Sequence, residues 1–255
     1  MTSLIELTAV SKTFGSGADA VHAFGPVDLA IEDGEFISFL GPSGCGKSTL
    51  MLMIAGLLEV SEGDIRLAGQ TVAGPRTDIG IMFQDNTLVP WRTVQGNIEL
   101  QLEMRGMPVS KHGARIDMLL DSVHLKDFAE RHPYELSGGM QQRAAFCQAM
   151  VHDPKTMLLD EPLGKLDAMT RESIRKDLQA LWMQQRPTVV FVTHSIEEAV
   201  QLSSRVAVIT PRPGRIEEVI PIDLPFPRDL DVKNSSEFAR YVRDIQEIFR
   251  GYGVI

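Results

Sequence analysis

Cysteine is scarce in this chain: 255 residues contain only Cys45 and Cys147, in no CxxC spacing. That excludes a disulfide-stapled scaffold and a cysteine-paired zinc site, and it fits free thiols in a reducing compartment. Positive charge is short as well, with 25 lysines and arginines against 34 acidic residues and a formal net charge of −9. A surface built to grip nucleic-acid phosphates would carry the opposite excess, so no nucleic acid is expected as a partner. Long apolar runs are missing. The longest, residues 51–58, falls far short of the ~20 residues that cross a bilayer, so a soluble chain is expected, with any membrane role coming through a partner. Residues 1–10 contain Glu6 and lack the basic start of a signal peptide. No internal repeat and no low-complexity tract is visible.

What is present is an ordinary globular balance, 44% hydrophobic and 23% charged, enough to bury a core. Near the start Leu4, Glu6 and Thr8 alternate with Ile5, Leu7 and Ala9, and a second strand pattern covers residues 21–31. These read as antiparallel strands. Residues 36–40 form an apolar run that opens into a glycine-rich loop, followed by a helical period through Leu57. Residues 79–83 read as a further strand and 94–150 as mostly helical. Strands at 157–159, 189–192 and 206–209 then alternate with helices at 169–184 and 196–202. That is the pattern of a parallel sheet with helices on its faces. Five prolines between 211 and 227 mark a linker or a wandering strand. A last helix is predicted to start at Asn234, boxed by Glu237, and to end at Gly251. It lines up Phe238, Tyr241, Val242, Ile245, Ile248 and Phe249 on one face. Such a face has to be covered, by the same subunit or by a second one.

The chemistry begins with Gly41-Pro42-Ser43-Gly44-Cys45-Gly46-Lys47-Ser48, a full match to GxxxxGK[ST] between a strand and a helix. Glycines let successive N–H groups turn inward around an anion, and the helix adds its positive end. Lys47 is expected at the β- and γ-phosphates and the Ser48 hydroxyl on Mg²⁺. Cys45 has two open readings, a thiol activated by the positive loop and an inert buried one. Asp160 and Glu161 close the apolar run 157–159, at the strand end where open α/β sheets take ligands. Asp160 suits a water-mediated hold on Mg²⁺, and Glu161 can polarise an attacking water. Many strands end in Asp-Glu, so this pair draws its meaning from the loop at 41–48. Leu136-Ser137-Gly138-Gly139-Met140-Gln141-Gln142-Arg143 precedes a helical run. Alone it reads as a capped helix start or as a second phosphate-binding terminus.

Taken together, these motifs resemble ABC ATPases, whose LSGGQ signature is matched with Met140 in place of the usual Gln. The resemblance covers nearly the whole chain in the correct order. It implies an α/β P-loop NTPase: a RecA-like parallel sheet core, an N-terminal antiparallel β subdomain and an inserted helical signature subdomain. Within a single domain of residues 1–255, it implies a core of 1–88 and 155–220, a helical subdomain of 89–154 and a tail of 221–255 with a docking helix. It assigns Phe14 to stacking on adenine and Gln84 to touching Mg²⁺ and sensing a membrane partner. Asp167, in the segment Gly164-Lys165-Leu166-Asp167, is assigned to the opposite subunit, and His194 to the γ-phosphate. Lys165 stands where a small residue is commoner. The other five histidines receive no role.

Such domains work as head-to-tail dimers. ATP is then held between Gly41–Thr49 of one copy and Ser137–Gly139 of the other, with Phe14 and Asp167 beside it. The resemblance implies ATP hydrolysis by Glu161, His194, Gln84 and Lys47, with Mg²⁺ on Ser48, Gln84 and Asp160. It also implies permease subunits, a second copy of this chain and, indirectly, a periplasmic or extracellular solute-binding protein, at the cytoplasmic face of the membrane. Residues 85–94 and 211–216 resemble the nitrate/sulfonate/taurine importers, a group that includes carriers of vitamin precursors, so a small solute of that kind is the expected cargo. Trp91 reads either as a core aromatic or as a neighbour of the groove that takes the permease's coupling helix. Two other classes compete. A non-transport ABC ATPase would carry a coiled-coil insertion or a second cassette, and a P-loop phosphotransferase would lack the signature and His194.

Overall fold

The segment FISFL carries aromatic and branched side chains without alternation, and all five residues are buried. That is the character of a parallel strand covered on both faces. The computed structural model describes residues 3–164 and 166–254. In chain order the first elements are β1 (Ser3–Phe14), β2 (Val21–Glu32), β3 (Phe36–Leu40), α1 (Lys47–Ile54), β4 (Glu62–Leu67) and β5 (Gln70–Thr71). Next come β6 (Ile79–Met82), α2 (Val94–Met104), α3 (Gly113–Ser122), α4 (Gly138–Met150), β7 (Thr156–Asp160) and α5 (Ala168–Gln185). The chain closes with β8 (Thr188–Thr193), α6 (Ile196–Leu202), β9 (Arg205–Ile209), β10 (Ile216–Pro221), α7 (Leu230–Lys233) and α8 (Ser236–Gly251). Two compact units result, one made of the residues up to Arg76 with those from Pro187 onward, the other of Thr77–Arg186.

In the first unit β3 pairs in parallel with β8 and β9, and β10 adds to β9 antiparallel. The proline-rich stretch is therefore part strand. A separate antiparallel sheet runs in the order β2-β1-β4-β5. Along β1, buried Ile5 and Leu7 alternate with exposed Glu6 and Thr8, and then the register slips at Ala9. Ala9 takes a φ of 48° and faces solvent, and Val10 is buried instead. This bulge breaks the alternation that the sequence projects through Ala9. Helix α1 ends at Ile54, short of Leu57.

The last helix begins one residue later than its capping box implies. Ser235, not Asn234, is the cap, and its hydroxyl accepts the Phe238 N–H at 3.2 Å. Phe238, Ile245 and Phe249 are buried against Leu40, Val200, Val208 and Ile222 of the same unit, and Tyr241, Val242 and Ile248 pack around them. Arg228 anchors the approach to this helix. Its fully buried guanidinium donates to the carbonyls of Val200, Ser203, Ile222 and Leu224 at 2.6–3.2 Å. It also lies 4.0 Å from the Phe226 ring centroid, and burial pulls its pKa down to about 10.

In the second unit β6 and β7 pair in parallel. Gly80 permits a close approach, since a Cβ there would run into the Ala149 carbonyl and Met157. Helix α4 packs on β6 and on α2, α3 and α5, which is why it is buried along most of its length rather than on one stripe.

Candidate nucleotide site

The phosphate loop leaves the end of β3 and turns into α1 through left-handed glycines, with φ of 77° at Gly44 and 103° at Gly46. Side-chain-bearing residues resist that backbone, and a Cβ on Gly46 would come 2.9 Å from the Phe24 ring. Ser43, Gly44 and Ser48 are exposed, so the loop's outer face is accessible to a ligand. Lys47 is nearly buried, and its ammonium donates to the Gly41 and Pro42 carbonyls at 2.8 and 2.9 Å. The amine is thus folded over its own loop, on weak acceptors that a phosphate would outcompete. Cys45 is 1% exposed, and a Cβ on Gly41 would sit 2.9 Å from its sulfur. Its sulfur is thus buried within the loop, 4.0 Å from the Lys47 ammonium. Cys147 is also buried, which pushes its thiol pKa up to about 12.

Two other predicted residues belong to this unit. Phe14 ends β1, is 42% exposed, and has the Lys12 ammonium 5.3 Å from its ring centroid. His194 follows β8 directly and is exposed.

The second unit carries the carboxylates. All of β7 is buried, including Asp160 at its end, and Glu161 follows with a φ of 42°. Such a left-handed non-glycine backbone costs on the order of 1–3 kcal/mol and concentrates at functional sites. Gln84, in the exposed turn after β6, donates its amide to Glu161 Oε2 at 3.3 Å. Among the described residues no cluster of three acidic, His or Cys side chains forms a protein-only metal cage. A carboxylate, an amide oxygen and a hydroxyl are nonetheless the donors Mg²⁺ takes when phosphates and waters complete its shell.

In the same unit the Ser137 hydroxyl caps α4, accepting the Met140 N–H at 3.3 Å. Ser137 and Gly138 are exposed at this helix start, whereas Gly139 is buried. A Cβ on Gly139 would collide with the Thr170 methyl of α5, and one on Gly138 would meet open space. Asp167 caps α5, accepting from the Met169 and Thr170 N–H groups at 3.1 and 3.0 Å. Hydrogen bonds from Thr170, then from Met169, hold its carboxyl below the usual range. Lys165 lies outside the described residues.

Three polar residues given no individual role by the sequence organise this region. Gln142, on the signature helix, donates to the Pro162 carbonyl one residue beyond Glu161. Asn86 donates to Gln141 Oε1 at 2.7 Å, tying the Gln84 turn to the same helix. Asn97 is fully buried in α2 and bonds Val89, Arg92 and Thr93 at 2.7–3.1 Å. It thereby shapes the turn that carries Trp91, which is 75% exposed; the core reading of Trp91 is wrong. The signal for Asn97 was a polar residue on the apolar stripe of Val94, Ile98 and Leu102. Nearby, a cavity of about 220 Å³ is lined by Phe83, Thr87, Leu100, Met104, Gln148 and His152, among others. No helix of the described residues is long and apolar enough to cross a membrane.

Comparison with known proteins bears on this arrangement directly. Residues 24–164 match the ABC transporter family. An uncharacterized ABC transporter ATP-binding protein of Methanocaldococcus jannaschii is 42% identical over 246 residues, 96% of this chain and 91% of that one. An aliphatic sulfonates import ATP-binding protein of Bacillus licheniformis is 44% identical, over 85% of this chain and 84% of the relative. A taurine import ATP-binding protein of Jannaschia sp. is also 44% identical, over 89% and 86%. Among solved structures, a dimeric ATP-binding cassette in a post-hydrolysis state with ADP and Pi superposes with a TM-score of 0.75 at 32% identity. It covers 87% of this chain and all of its own. With a P-loop NTPase fold, the phosphate loop, the signature cap and the Gln84–Glu161 pair, this chain belongs to the ABC transporter family and is one of its ATP-hydrolysing subunits.

Proposed function

We propose that this chain powers an importer: two copies bind ATP head to tail, and closing and opening of that dimer drives partner permease subunits. The observation that carries the catalytic part is the Gln84–Glu161 hydrogen bond at 3.3 Å, an oriented carboxylate at the end of a buried strand. Glu161 takes the proton of the attacking water, and the Gln84 amide fixes the direction of its Oε2. Lys47 exchanges its loop carbonyls for β- and γ-phosphate oxygens, and the loop amides of Gly41–Thr49 cradle the rest. His194 binds the γ-phosphate, and Phe14 stacks on adenine with its exposed ring. Ser48, Gln84 and Asp160 hold Mg²⁺, which when bound supplies positive charge to the phosphates. Ser137, Gly138 and Gly139 of the second copy close the site with the start of α4, and Asp167 stands beside that contact.

The relatives named for sulfonate and taurine import support a small anionic or zwitterionic solute as cargo. Exposed Trp91 and exposed Met104, which borders a cavity of mixed polar and apolar lining, support a permease helix as the membrane contact. A chain working in this way sits at the cytoplasmic face of the membrane, with a solute-binding protein acting on the far side. The test is hydrolysis without an added phosphoryl acceptor, together with gel filtration of Glu161→Gln in MgATP. The proposal requires equimolar ADP and phosphate from the parent and an ATP-dependent dimer from the variant. No phosphate release in the absence of an acceptor, or a monomer at saturating ATP, contradicts it.

A further inference from the structure

Around His194 the chain builds a closed ring of hydrogen bonds. Thr193, the last residue of β8, is 2% exposed, and its hydroxyl donates to Glu198 Oε2 at 2.7 Å. The same hydroxyl accepts the Ser195 N–H at 3.0 Å. Ser195 in turn caps α6, its own hydroxyl accepting the Glu198 N–H at 3.3 Å. Glu198 is 6% exposed, so a carboxylate has been brought into the interior in the first turn of α6. The ring passes from Thr193 to Glu198 to Ser195 and back to Thr193. His194 is the single residue between two of its members, and it is exposed while they are not.

The chemistry of this ring is demanding. The Thr193 hydroxyl spends its one proton on the carboxylate and a lone pair on the Ser195 amide. Rotating it would leave a buried carboxylate with one donor fewer and would take its acceptor from the half-buried Ser195 N–H, and such groups are expensive to leave unsatisfied. Because the hydroxyl cannot turn, the peptide groups on either side of His194 are held, and with them the direction of its Cα–Cβ bond. Ser195 and Glu198 stand at the cap and third positions of α6, as in a capping box. Here the Glu198 carboxylate takes the Thr193 hydroxyl at the strand end, which ties the helix start to the residue before His194.

We infer that Thr193 and Glu198 are positioning residues for His194, holding its imidazole toward the γ-phosphate. This rests on the reading of His194 as the γ-phosphate contact. Neither residue touches nucleotide in this account; both act through the backbone of His194. A misplacement of about 1 Å can cost up to roughly 100-fold in rate, so the effect belongs in kcat rather than in ATP affinity.

The experiment compares Thr193→Val, Thr193→Ser and Glu198→Gln, each alone and in a His194→Ala background, by steady-state hydrolysis and thermal midpoint. Thr193→Val keeps the shape and removes the hydroxyl. It should lower kcat roughly 10- to 100-fold, with the KM for ATP within about twofold of the parent. Thr193→Ser should restore the rate. Glu198→Gln, which keeps volume but weakens the acceptor, should fall between them and serves if Thr193→Val does not fold. In the His194→Ala background none of them should cause a further loss, since the group they position is gone. Losses that multiply with His194→Ala, equal losses in Thr193→Val and Thr193→Ser, or parental kcat in Glu198→Gln would overturn the inference. If His194→Ala itself hydrolyses ATP at the parental rate, the γ-phosphate reading fails first and this inference with it.

Discussion

Gln84 and Glu161 are joined by a 3.3 Å hydrogen bond from the glutamine amide to the carboxylate, although 77 residues separate them in sequence. The parallel pairing of β6 and β7 brings them together, because each residue lies just beyond the end of its strand. The left-handed backbone at Glu161 turns its side chain out of the strand's alternation. Removing the donor in Gln84→Ala should free the carboxylate. Turnover is expected to fall roughly 10- to 100-fold, the lower part of what a positioned base contributes, with nucleotide binding nearly unchanged. Steady-state kinetics and a direct binding titration separate the two, and parental kcat in Gln84→Ala would count against the pairing.

His152 makes the second unit acid-sensitive. Its Nε2 bonds the Ile79 carbonyl at 3.1 Å, which assigns the proton to that nitrogen, and buried Nδ1 has no partner among the described residues. Burial first, then the nearby Arg105 and Arg115 charges, depress its pKa from 6.5 to about 4. Between those values the unfolded chain binds the extra proton, so stability is full above pH 6.5 and falls as pH drops toward 4. Urea midpoints of the parent and His152→Gln at pH 7 and pH 4.5 should show the parent losing more on acidification. An equal loss in both proteins would contradict this.

The two signature glycines should separate by stability. Gly139→Ala forces a methyl into the Thr170 side chain and is expected to cost about 1–3 kcal/mol, the usual price of overpacking. Gly138→Ala points into open space and should leave the urea midpoint unchanged while slowing hydrolysis, since it alters the exposed face offered to the second copy. Equal destabilisation by the two substitutions would mean that the α4–α5 contact is not as close as described.

Arg228 should matter to the tail far more than any surface charge. Arg228→Met removes the donor shared by four buried carbonyls, at about 1–3 kcal/mol for each one left unsatisfied. A loss of several kcal/mol corresponds to a fall of roughly 6–12 °C in the thermal midpoint of a chain this size. Arg228→Lys should recover little, because an ammonium lacks the planar fork. Deleting residues 234–255 should act in the same direction, uncovering Leu40, Val200 and Val208 while leaving nucleotide binding in place. A truncated chain as stable as the parent would show that α8 is not part of the core.

How much of this was legible in the sequence depended on whether the signal was local. The loop from Gly41 to Ser48 declares itself because its glycines, Lys47 and Ser48 are consecutive, and flanking β3 and α1 follow from apolar runs. The strand ending at Asp160 was visible for the same reason. Gln142, Asn86 and Arg228 were not, since each acquires its role by meeting a carbonyl or amide brought from elsewhere by the fold. The bulge at Ala9 hid behind apparent alternation, because one inserted residue changes faces without changing composition. Trp91 was ambiguous since aromatic residues are read as buried by default, and only the turn held by Asn97 exposes it. The burial of the Cys45 thiol beneath Gly41 was not legible from spacing, since it depends on how the loop folds back on itself.

Catalysis in this chain turns on Glu161. The most direct measurement is phosphate release by the purified chain and by Glu161→Gln, each paired with ATP binding at equilibrium. The substitution keeps the size of the side chain and its hydrogen bonding but removes the group that accepts the water's proton. Phosphate release is predicted to fall by a factor on the order of 10²–10⁴, while ATP still binds with the parental affinity. Parental turnover in Glu161→Gln would contradict the assignment of the base, and loss of binding would show that the carboxylate belongs to the fold rather than to the chemistry.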